Sequence, residues 1–224
     1  MPSFGTVIFD CDSTLSTIEG IEDLAADRAD DIARLTQLAM EGRVPLEDIY
    51  GLRLEQVRPS RQQVERLGQR YIETMVQDVP RVVGELMSAG IEVRIVSGGL
   101  KPAVLVLAAH LGIRPDAVAA VDVVFQPDGS YSGFETESPL ATAGGKRQVI
   151  EAWRPSLRAP VMLVGDGATD LEAKPAVDMF VAYTGVKDRA SIRHRADLAI
   201  DGPSLLPVVK LALGTETRTE GNSA

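Results

Sequence analysis

The sequence contains a single cysteine, Cys11, among its 224 residues. An internal disulfide is therefore excluded, and a reducing, cytoplasmic compartment is the expected location. No apolar stretch reaches the roughly 20 residues that span a bilayer. The first residues also lack the basic region and the long apolar run of a secretory signal. We therefore expect no membrane partner.

Positive charge is also scarce, because 23 Lys and Arg stand against 32 Asp and Glu, for a formal net charge of -9. An acidic protein repels nucleic acid and anionic membranes, so neither is an expected partner. A small anionic substrate would be repelled at long range too, and its binding would need local positive charge or a metal ion. The length allows one sizeable core with a small second domain. The oligomeric state stays open between a monomer and a homodimer.

Short runs rich in Val and Ile predict three buried strands, at 6–9, 92–96 and 161–164. Such runs without polar alternation are typical of parallel strands that helices cover on both faces. Apolar residues at helical spacing predict helices between these strands, at 80–89, 102–111 and 146–153. Strands that alternate with helices indicate an α/β fold with a doubly wound, mostly parallel sheet of the Rossmann-like kind.

A region without a convincing strand follows the first predicted strand, at 16–75. Its apolar residues, among them Ile18, Ile21, Leu35 and Leu38, recur at helical spacing. This pattern predicts a small helical cap inserted after the first strand. The catalytic core would then consist of residues 1–15 and 76–224.

A β-hairpin is predicted at about 121–134, where two apolar runs flank the turn Pro127-Asp128-Gly129. The last ten residues, 215–224, are polar and are expected to be disordered.

Acidic residues follow two of the predicted strands. Asp10 and Asp12 end the first, and Asp166 and Asp170 end the third. Two acids can simply begin a turn, where Asp is common. Four carboxylates that meet at the carboxyl edge of a parallel sheet would instead repel each other unless a cation lies among them. Oxygen ligands at an open site suit Mg²⁺, which also binds substrate phosphate.

Two further features could bind an anion at the same edge of the sheet. Ser97-Gly98-Gly99 precedes a predicted helix whose backbone N–H groups could bind an anion, although glycines in a plain loop would look the same. Lys146 begins another helix and could balance a phosphate, although most lysines lie on the surface. The neighbouring Arg147 should point to a different face of the helix.

The ordered motifs resemble those of the haloacid dehalogenase-like phosphatases. They are Asp-Cys-Asp-Ser-Thr at 10–14, Ser-Gly-Gly at 97–99, Lys146 and Gly-Asp-Gly-Ala-Thr-Asp at 165–170. The first motif is similar in form to that of the phosphoserine phosphatases. The resemblance covers most of the chain and implies a Mg²⁺-dependent phosphomonoester hydrolase acting in serine biosynthesis.

The resemblance also implies a role for each motif. Asp10 would be the nucleophile that forms an aspartyl-phosphate. Asp12 would be the general acid that protonates the leaving group and the base that then activates water. Asp10, the main-chain carbonyl of Asp12 and Asp166 would hold the metal, supported by Asp170. The substrate's phosphoryl group would be bound by Ser97, Gly98, Lys146 and Thr169.

Substrate choice would lie in the cap. Glu19 stands where the phosphoserine enzymes place the acid that binds the substrate's ammonium, and Arg53 stands at their carboxylate-binding arginine. The segment from Met40 to Arg43 resembles their cap as well. Taken alone, Glu19 could be an acid in the first turn of a helix, and Arg53 could lie on a solvated face. Arg189 resembles a further arginine of the family near the active site.

Three positions depart from the family pattern. Leu46 replaces a common aromatic residue of the cap, Cys11 replaces an apolar residue between the two acids, and Thr169 stands where some members have Asn. Cys11 is interpreted as a small buried spacer, with a redox-sensitive thiol as the alternative.

Other functions remain open at this point. One is action on a different small phosphomonoester, or transfer of the phosphoryl group to an alcohol. Another is a phospho-accepting receiver domain of the kind used in signalling, although the acid–base Asp12 and the cap argue against it. A catalytically inactive metal-binding scaffold is a third, and Mn²⁺ or Co²⁺ could replace Mg²⁺.

Overall fold

The computed structural model describes residues 2–25, 32, 34, 35, 37, 38, 41, 43 and 46–215, without the side chains of 46–48. Met40, the side chain of Leu46 and all of the predicted disordered tail except Thr215 therefore lie outside the described residues.

Two sheets are present in the described part of the chain. The larger has six parallel strands in the order β3-β2-β1-β6-β7-β8, and the smaller is an antiparallel pair. The strands are β1 Thr6–Phe9, β2 Glu92–Leu100, β3 Val118–Val121, β4 Val123–Phe125, β5 Tyr131–Phe134, β6 Val161–Gly165, β7 Met179–Tyr183 and β8 Leu198–Ile200.

Nine α-helices are described in the same residues. They are α1 Gly20–Ala25, α2 Leu46–Val57, α3 Arg61–Glu73, α4 Val79–Ser88, α5 Lys101–His110, α6 Gly145–Trp153, α7 Ala168–Glu172, α8 Ala190–Arg193 and α9 Leu206–Leu213. None of the described helices is both long and apolar enough to cross a bilayer.

The predicted α/β fold with a mostly parallel sheet is confirmed. The strands β1 and β6 lie at the sheet's centre and are buried along their whole length. The predicted hairpin is β4–β5, and the three predicted helices correspond to α4, α5 and α6 within one residue at each end. The short strands β3, β7 and β8 were not predicted.

One predicted boundary was wrong. The second strand was predicted at 92–96, but β2 continues through Ser97-Gly98-Gly99 to Leu100, directly before α5. The pairing of β2 with β3 shifts register between Val96 and Leu100, so the extra residues form an irregularity in the strand. The Ser97 hydroxyl oxygen accepts a hydrogen bond of 2.9 Å from the Gly99 amide, which holds this local distortion.

The strand order explains why distant motifs meet. From β1 the chain passes to β2 on one side, whereas β6 is followed by β7 on the other side. The connections after β1 and β6 therefore diverge and leave a crevice at their carboxyl ends. Phe9 pairs with Val164, so the residues that follow β1 and β6 lie side by side at this crevice.

The helices α1, α2 and α3 lie between β1 and α4 in the chain. Both ends of this segment are joined, because Ser16 and Met75 form an antiparallel bridge. The amide of Thr17 donates to the carbonyl of Thr74 at 2.8 Å, and the amide of Val76 donates to the carbonyl of Leu15 at 3.0 Å. The helical segment thus leaves and re-enters the core at one point.

The helix α3 is held tightly against the core. It begins with a capping box formed by Ser60 and Gln63. Gly68 faces α5 so closely that a Cβ atom at this position would lie 2.6 Å from Cβ of Val106. A larger side chain at 68 would therefore push α3 away from α5.

The hairpin supports α2 from outside the main sheet. The rings of Tyr50 and Phe134 lie 5.3 Å apart in a tilted arrangement. The guanidinium of Arg58, directly after α2, lies 5.4 Å from the centre of the Tyr131 ring. These contacts place α2 above the crevice, where its inner face can contribute to a site.

Candidate active site

Asp10 and Asp166 lie next to each other at the carboxyl edge of the sheet. The amide of Asp10 donates to the carbonyl of Val164 at 2.9 Å, which continues the pairing of β1 with β6. Both carboxylates are buried, and the amide of Cys11 donates to Asp10 Oδ1 at 2.7 Å. Cys11 itself is fully buried, as predicted for a spacer.

Lys146 joins the acids of different motifs. Its Nζ lies 2.8 Å from Asp10 Oδ1 and 2.7 Å from Asp170 Oδ1, and all three side chains are buried. Burial would lower the pKa of Lys146, but the two carboxylates outweigh it and raise the pKa, so the ammonium persists. Arg147 points away and forms an ion pair with Glu151, in agreement with the predicted separation of the two side chains.

Asp170 is fixed by its surroundings. Its Oδ2 accepts a hydrogen bond of 3.0 Å from the amide of Gly167 at the start of α7. A Cβ atom at Gly165 would lie 2.2 Å from Cγ of Asp170, so only glycine fits at the end of β6. The sequence motif Gly-Asp-Gly therefore reflects close packing of the backbone around this carboxylate.

Three of the carboxylates could share a cation. Asp10, Asp166 and Asp170 each offer an oxygen, and these oxygens lie within 4.8 Å of one another. Burial, and then the nearby Asp170, raise the pKa of Asp10 to about 8, although Lys146 acts in the opposite direction. A cation at this cluster would offset the cost of keeping these buried carboxylates ionised.

Asp12 takes no part in that cluster with its carboxylate. Its Oδ1 accepts hydrogen bonds from the Tyr71 hydroxyl at 2.6 Å and from the Gly20 amide at 3.3 Å. Burial raises the pKa of Asp12 to about 7, and the charge of Glu19 adds to this effect. A carboxyl group with such a pKa can both donate and accept a proton near neutral pH.

Glu19 is a buried carboxylate surrounded by donors. Its Oε1 accepts from the Ser13 hydroxyl at 2.7 Å and lies 3.0 Å from Lys187 Nζ and 3.8 Å from Arg189 Nη2. Burial alone would raise the pKa of Glu19, but Lys187 and the hydrogen bond from Ser13 outweigh it and lower the pKa. Glu19 is therefore ionised.

Arg53 reaches the same region from α2. Its side chain is buried, and its guanidinium lies 5.4 Å from the centre of the Tyr50 ring. The hydroxyl of Tyr50 donates to the carbonyl of Gly98 at 2.8 Å, which connects α2 to the end of β2. In this structure the bond holds the helix that carries Arg53 against the sheet.

A single cleft connects these groups. It is lined by Asp10, Asp12, Glu19, Ile21, Glu22, Tyr50, Arg53, Gly98, Leu140, Thr142, Lys146, Asp166 and Thr169. The predicted site residues Ser97 and Asp170 lie behind this lining and are fully buried. The carboxylate cluster thus occupies one part of the cleft, and Glu19 and Arg53 belong to the same cavity.

Arg189 also reaches the site, as its resemblance implied. Its Nη1 contacts a carboxylate oxygen of Asp166 and donates to the Asp166 carbonyl at 3.1 Å. The contacts place Arg189 between the carboxylate cluster and Glu19. The side chain is largely buried, so its positive charge acts on both acids in a weakly solvated region.

The sequence did not identify Tyr71, Tyr50 or Lys187 as parts of the site. Tyr71 and Tyr50 lie at helical spacing among core residues and have the pattern of ordinary packing. Lys187 lies in a short polar segment after β7, a strand that was itself not predicted. Each reaches the site through a contact distant in sequence, for which a local pattern gives no signal.

Comparison with known proteins fits this geometry. The family model of the haloacid dehalogenase-like hydrolases matches residues 4–178, more than half of the chain. The chain belongs to this family. In this hydrolase Asp10 and Asp12 follow directly after β1, at the carboxyl edge of the sheet.

Curated relatives of this hydrolase cover most of its length. The phosphoserine phosphatase of Bos taurus is 34% identical over 198 residues, which cover 87% of this chain and 88% of that protein. The chloroplastic phosphoserine phosphatase of Arabidopsis thaliana is 34% identical over 205 residues, which cover 88% of this chain and 69% of that protein.

A solved structure is similar over nearly the whole hydrolase. It is described as a phospho-aspartyl intermediate analogue of phosphoserine phosphatase. It matches with a TM-score of 0.79 and 25% sequence identity, and the alignment covers 93% of this chain and 98% of that chain. The similarity in fold therefore extends over nearly the whole chain.

Proposed function

We propose that this hydrolase is a phosphoserine phosphatase that converts O-phosphoserine to serine and inorganic phosphate in serine biosynthesis. The observation that carries the proposal is the single cleft in which Glu19 and Arg53 accompany the carboxylate cluster around Asp10. Phosphoserine has an ammonium and a carboxylate beside its phosphate, and the cleft offers a charge of opposite sign for each. The names of the curated relatives support the same substrate.

Mg²⁺ is the proposed cofactor. The carboxylates of Asp10 and Asp166 and the main-chain carbonyl of Asp12 would hold it, with Asp170 in support. The buried carboxylate oxygens within 4.8 Å of one another fit a hard divalent cation. When bound, the ion would neutralise negative charge on the phosphoryl group and on the acids around it.

The chain's own residues would perform the bond changes. A carboxylate oxygen of Asp10 attacks phosphorus, and the bond from phosphorus to the serine oxygen breaks. Asp12 gives its proton to that oxygen and later takes a proton from a water molecule, which attacks phosphorus and releases Asp10. Lys146, with its persistent positive charge, would stabilise the phosphoryl oxygens together with Ser97, Gly98 and Thr169.

Residues 16–75 would form the cap that excludes water and selects the substrate. Both ends of the cap meet at the bridge between Ser16 and Met75, so the cap joins the core at one place. The tight approach of Gly68 to Val106 favours a fixed position for α3. We therefore propose that opening of the cleft involves α1 and α2, which carry Glu22 and Arg53.

Removal of the metal should make stability depend on pH. Burial raises the pKa of Asp10 to about 8 and of Asp12 to about 7, whereas both titrate near 3.8 without the fold. Between these values the folded protein binds more protons than the unfolded chain, so its stability falls as pH rises from about 4 to about 8. Mg²⁺ should therefore raise Tm more at about pH 8 than at about pH 5, where protons compete with it.

The measurement is thermal unfolding at both pH values, with a chelator and with excess Mg²⁺. The Asp10→Asn variant serves as a control, because it lacks the titrating carboxylate and should lose much of the pH dependence. An increase in Tm of equal size at both pH values would argue against a metal site on these carboxylates.

Removing either charge of the cap should affect phosphoserine selectively. In Glu19→Gln or Arg53→Ala, we expect the KM for phosphoserine to rise about 10- to 100-fold, from the loss of one charged hydrogen-bond partner. The KM for 4-nitrophenyl phosphate, which has neither an ammonium nor a carboxylate, should change little. Steady-state phosphate release with both substrates measures the difference.

The matched control is Arg66→Ala, because Arg66 is exposed on α3, within the same segment, and lies outside the lining of the cleft. This variant should keep the wild-type KM for both substrates. If the Glu19 and Arg53 variants raise the KM for phosphoserine and for 4-nitrophenyl phosphate equally, these two residues do not recognise the ammonium and the carboxylate of the substrate.

A further inference from the structure

The carboxylate proposed to bind the substrate's ammonium already has an ammonium beside it. Lys187 Nζ lies 3.0 Å from Glu19 Oε1, within hydrogen-bond distance. Lys187 follows β7 and precedes α8, so it approaches Glu19 from the core side of the cleft and not from the cap. Glu19 and Lys187 are 168 positions apart in the sequence, so the fold alone brings them together.

The two side chains of this pair differ in burial. The Glu19 side chain is 8% exposed, whereas that of Lys187 is 37% exposed. A buried carboxylate needs a counter-charge, because the loss of hydration disfavours its ionised form. Lys187 supplies that charge from a position with access to water, so it can leave Glu19 without becoming buried and unsolvated itself.

A second carboxylate lies within reach of the same lysine. Glu22 Oε2 is 3.9 Å from Lys187 Nζ, and Glu22 lies three residues after Glu19. Lys187 can therefore move away from Glu19 and remain close to a negative charge. The Ser13 hydroxyl, which donates to Glu19 Oε1 at 2.7 Å, holds the Glu19 carboxylate in place when the lysine moves.

We propose that Lys187 is a specificity-determining residue, whose ammonium binds Glu19 in the substrate-free enzyme and is displaced by the ammonium of the substrate. This inference rests on the proposed function of Glu19. A phosphate ester without an ammonium cannot displace the lysine, so it meets a Glu19 that is already neutralised. An ester with an ammonium exchanges one ion pair for another, and its apparent affinity is reduced by the competition.

Lys187 is thus an internal competitor and not a ligand of the substrate. Its removal should strengthen the binding of compounds with an ammonium and have little effect on compounds without one. This pattern distinguishes competition from a structural role, since a structural defect would weaken the binding of both kinds of compound.

The test compares phosphoserine with 3-phosphooxypropionate, which has the same carboxylate and phosphate but no ammonium. In Lys187→Met, the KM for phosphoserine should fall about two- to fivefold, the range for release of a partly exposed ion pair. The KM for 3-phosphooxypropionate should stay near the wild-type value. Lys187→Arg keeps the positive charge and should restore most of the wild-type KM for phosphoserine.

A matched control is Lys174→Met, because Lys174 has a similar exposure of 36% and pairs with Asp197 instead of the cleft acids. A KM for phosphoserine that is unchanged or raised in Lys187→Met would overturn the inference. It would mean that substrate and lysine bind Glu19 together, or that Lys187 contacts the substrate.

Failure of the proposed function has a different result. If neither the wild type nor Lys187→Met prefers phosphoserine to 3-phosphooxypropionate, Glu19 does not bind the substrate's ammonium, and the proposed function of Glu19 falls together with the inference. If the wild type prefers phosphoserine and Lys187→Met leaves the KM for phosphoserine unchanged, Glu19 keeps its proposed role and only the inference about Lys187 falls.

Discussion

Replacement of Asp10 by Asn is expected to abolish phosphate release from phosphoserine, with a loss in kcat of about 10⁴-fold or more, the scale seen when an enzyme loses its nucleophile. An amide nitrogen or oxygen is a poor nucleophile toward phosphorus, so no covalent intermediate forms. The variant retains an oxygen that can accept from the Cys11 amide and from Lys146, as Asp10 Oδ1 does. The expected loss is therefore chemical and not a consequence of misfolding.

Without metal, the Asp10→Asn variant should be at least as stable as the wild type near pH 8. Burial and the nearby Asp170 raise the pKa of Asp10, so its ionised form lowers the stability of the metal-free fold near neutral pH. Asn removes that charge, and the Tm of the metal-free variant at about pH 8 should equal or exceed that of the wild type. Asp116→Asn, at an exposed surface acid, is the matched control and should leave kcat unchanged.

Substantial turnover by Asp10→Asn would contradict its role as nucleophile. A large fall in the Tm of the metal-free variant would also contradict the account, because it would show that the ionised Asp10 carboxylate stabilises the fold. The two readouts together separate the role of Asp10 in the chemistry from its role in packing.

Replacement of Asp12 by Asn is expected to lower kcat for phosphoserine by about 10²- to 10⁴-fold, the range for loss of a general acid–base group. The Tyr71 hydroxyl and the Gly20 amide both donate to Asp12 Oδ1, and the side-chain oxygen of Asn can accept both bonds. The geometry should therefore persist while the oxygen that carries the proton, Oδ2, is lost.

The leaving group of the substrate determines which step the Asp12→Asn variant slows. Serine leaves as an alkoxide that needs a proton, whereas 4-nitrophenolate leaves readily without one. With 4-nitrophenyl phosphate, Asp12→Asn should form the phospho-enzyme and then hydrolyse it slowly, because no base activates water. We expect a rapid release of about one nitrophenol per enzyme followed by slow turnover.

Rapid mixing measures that first release, and mass spectrometry of the quenched protein should find one added phosphoryl group on the peptide that contains Asp10. An equal fall in kcat with both substrates, and no rapid first release of nitrophenol, would show that Asp12 is not the acid–base group. The Tyr71→Phe variant is a useful comparison, because it deletes the donor to Oδ1 and leaves the carboxyl group present.

The central strands and the acids that follow them could be predicted from the sequence because they depend on local patterns. The runs that form β1 and β6 are apolar without interruption, since both strands are central and buried on both faces. The acids that follow them must then meet at the sheet's carboxyl edge. Fold class and the position of Asp10 beside Asp166 follow from this reasoning.

Other parts depend on the packing of distant segments. The sequence from Ser97 to Gly99 has the composition of a loop, yet it continues β2 because Leu100 still pairs with Val121 on the neighbouring strand. Lys187 has the appearance of a surface lysine, and only the tertiary structure brings it to Glu19. The hydrogen bond from Tyr71 to Asp12 likewise needs α3 to be docked on α5.

The most direct test of the central claim is the value of kcat/KM of the wild-type protein for phosphoserine, measured with Mg²⁺ against two truncated substrates. Phosphoethanolamine lacks the carboxylate that Arg53 would bind, and 3-phosphooxypropionate lacks the ammonium that Glu19 would bind. The account predicts that phosphoserine exceeds each of them by about tenfold or more, the effect of one charged contact. Equal values for all three, or no phosphate release from phosphoserine, would contradict it.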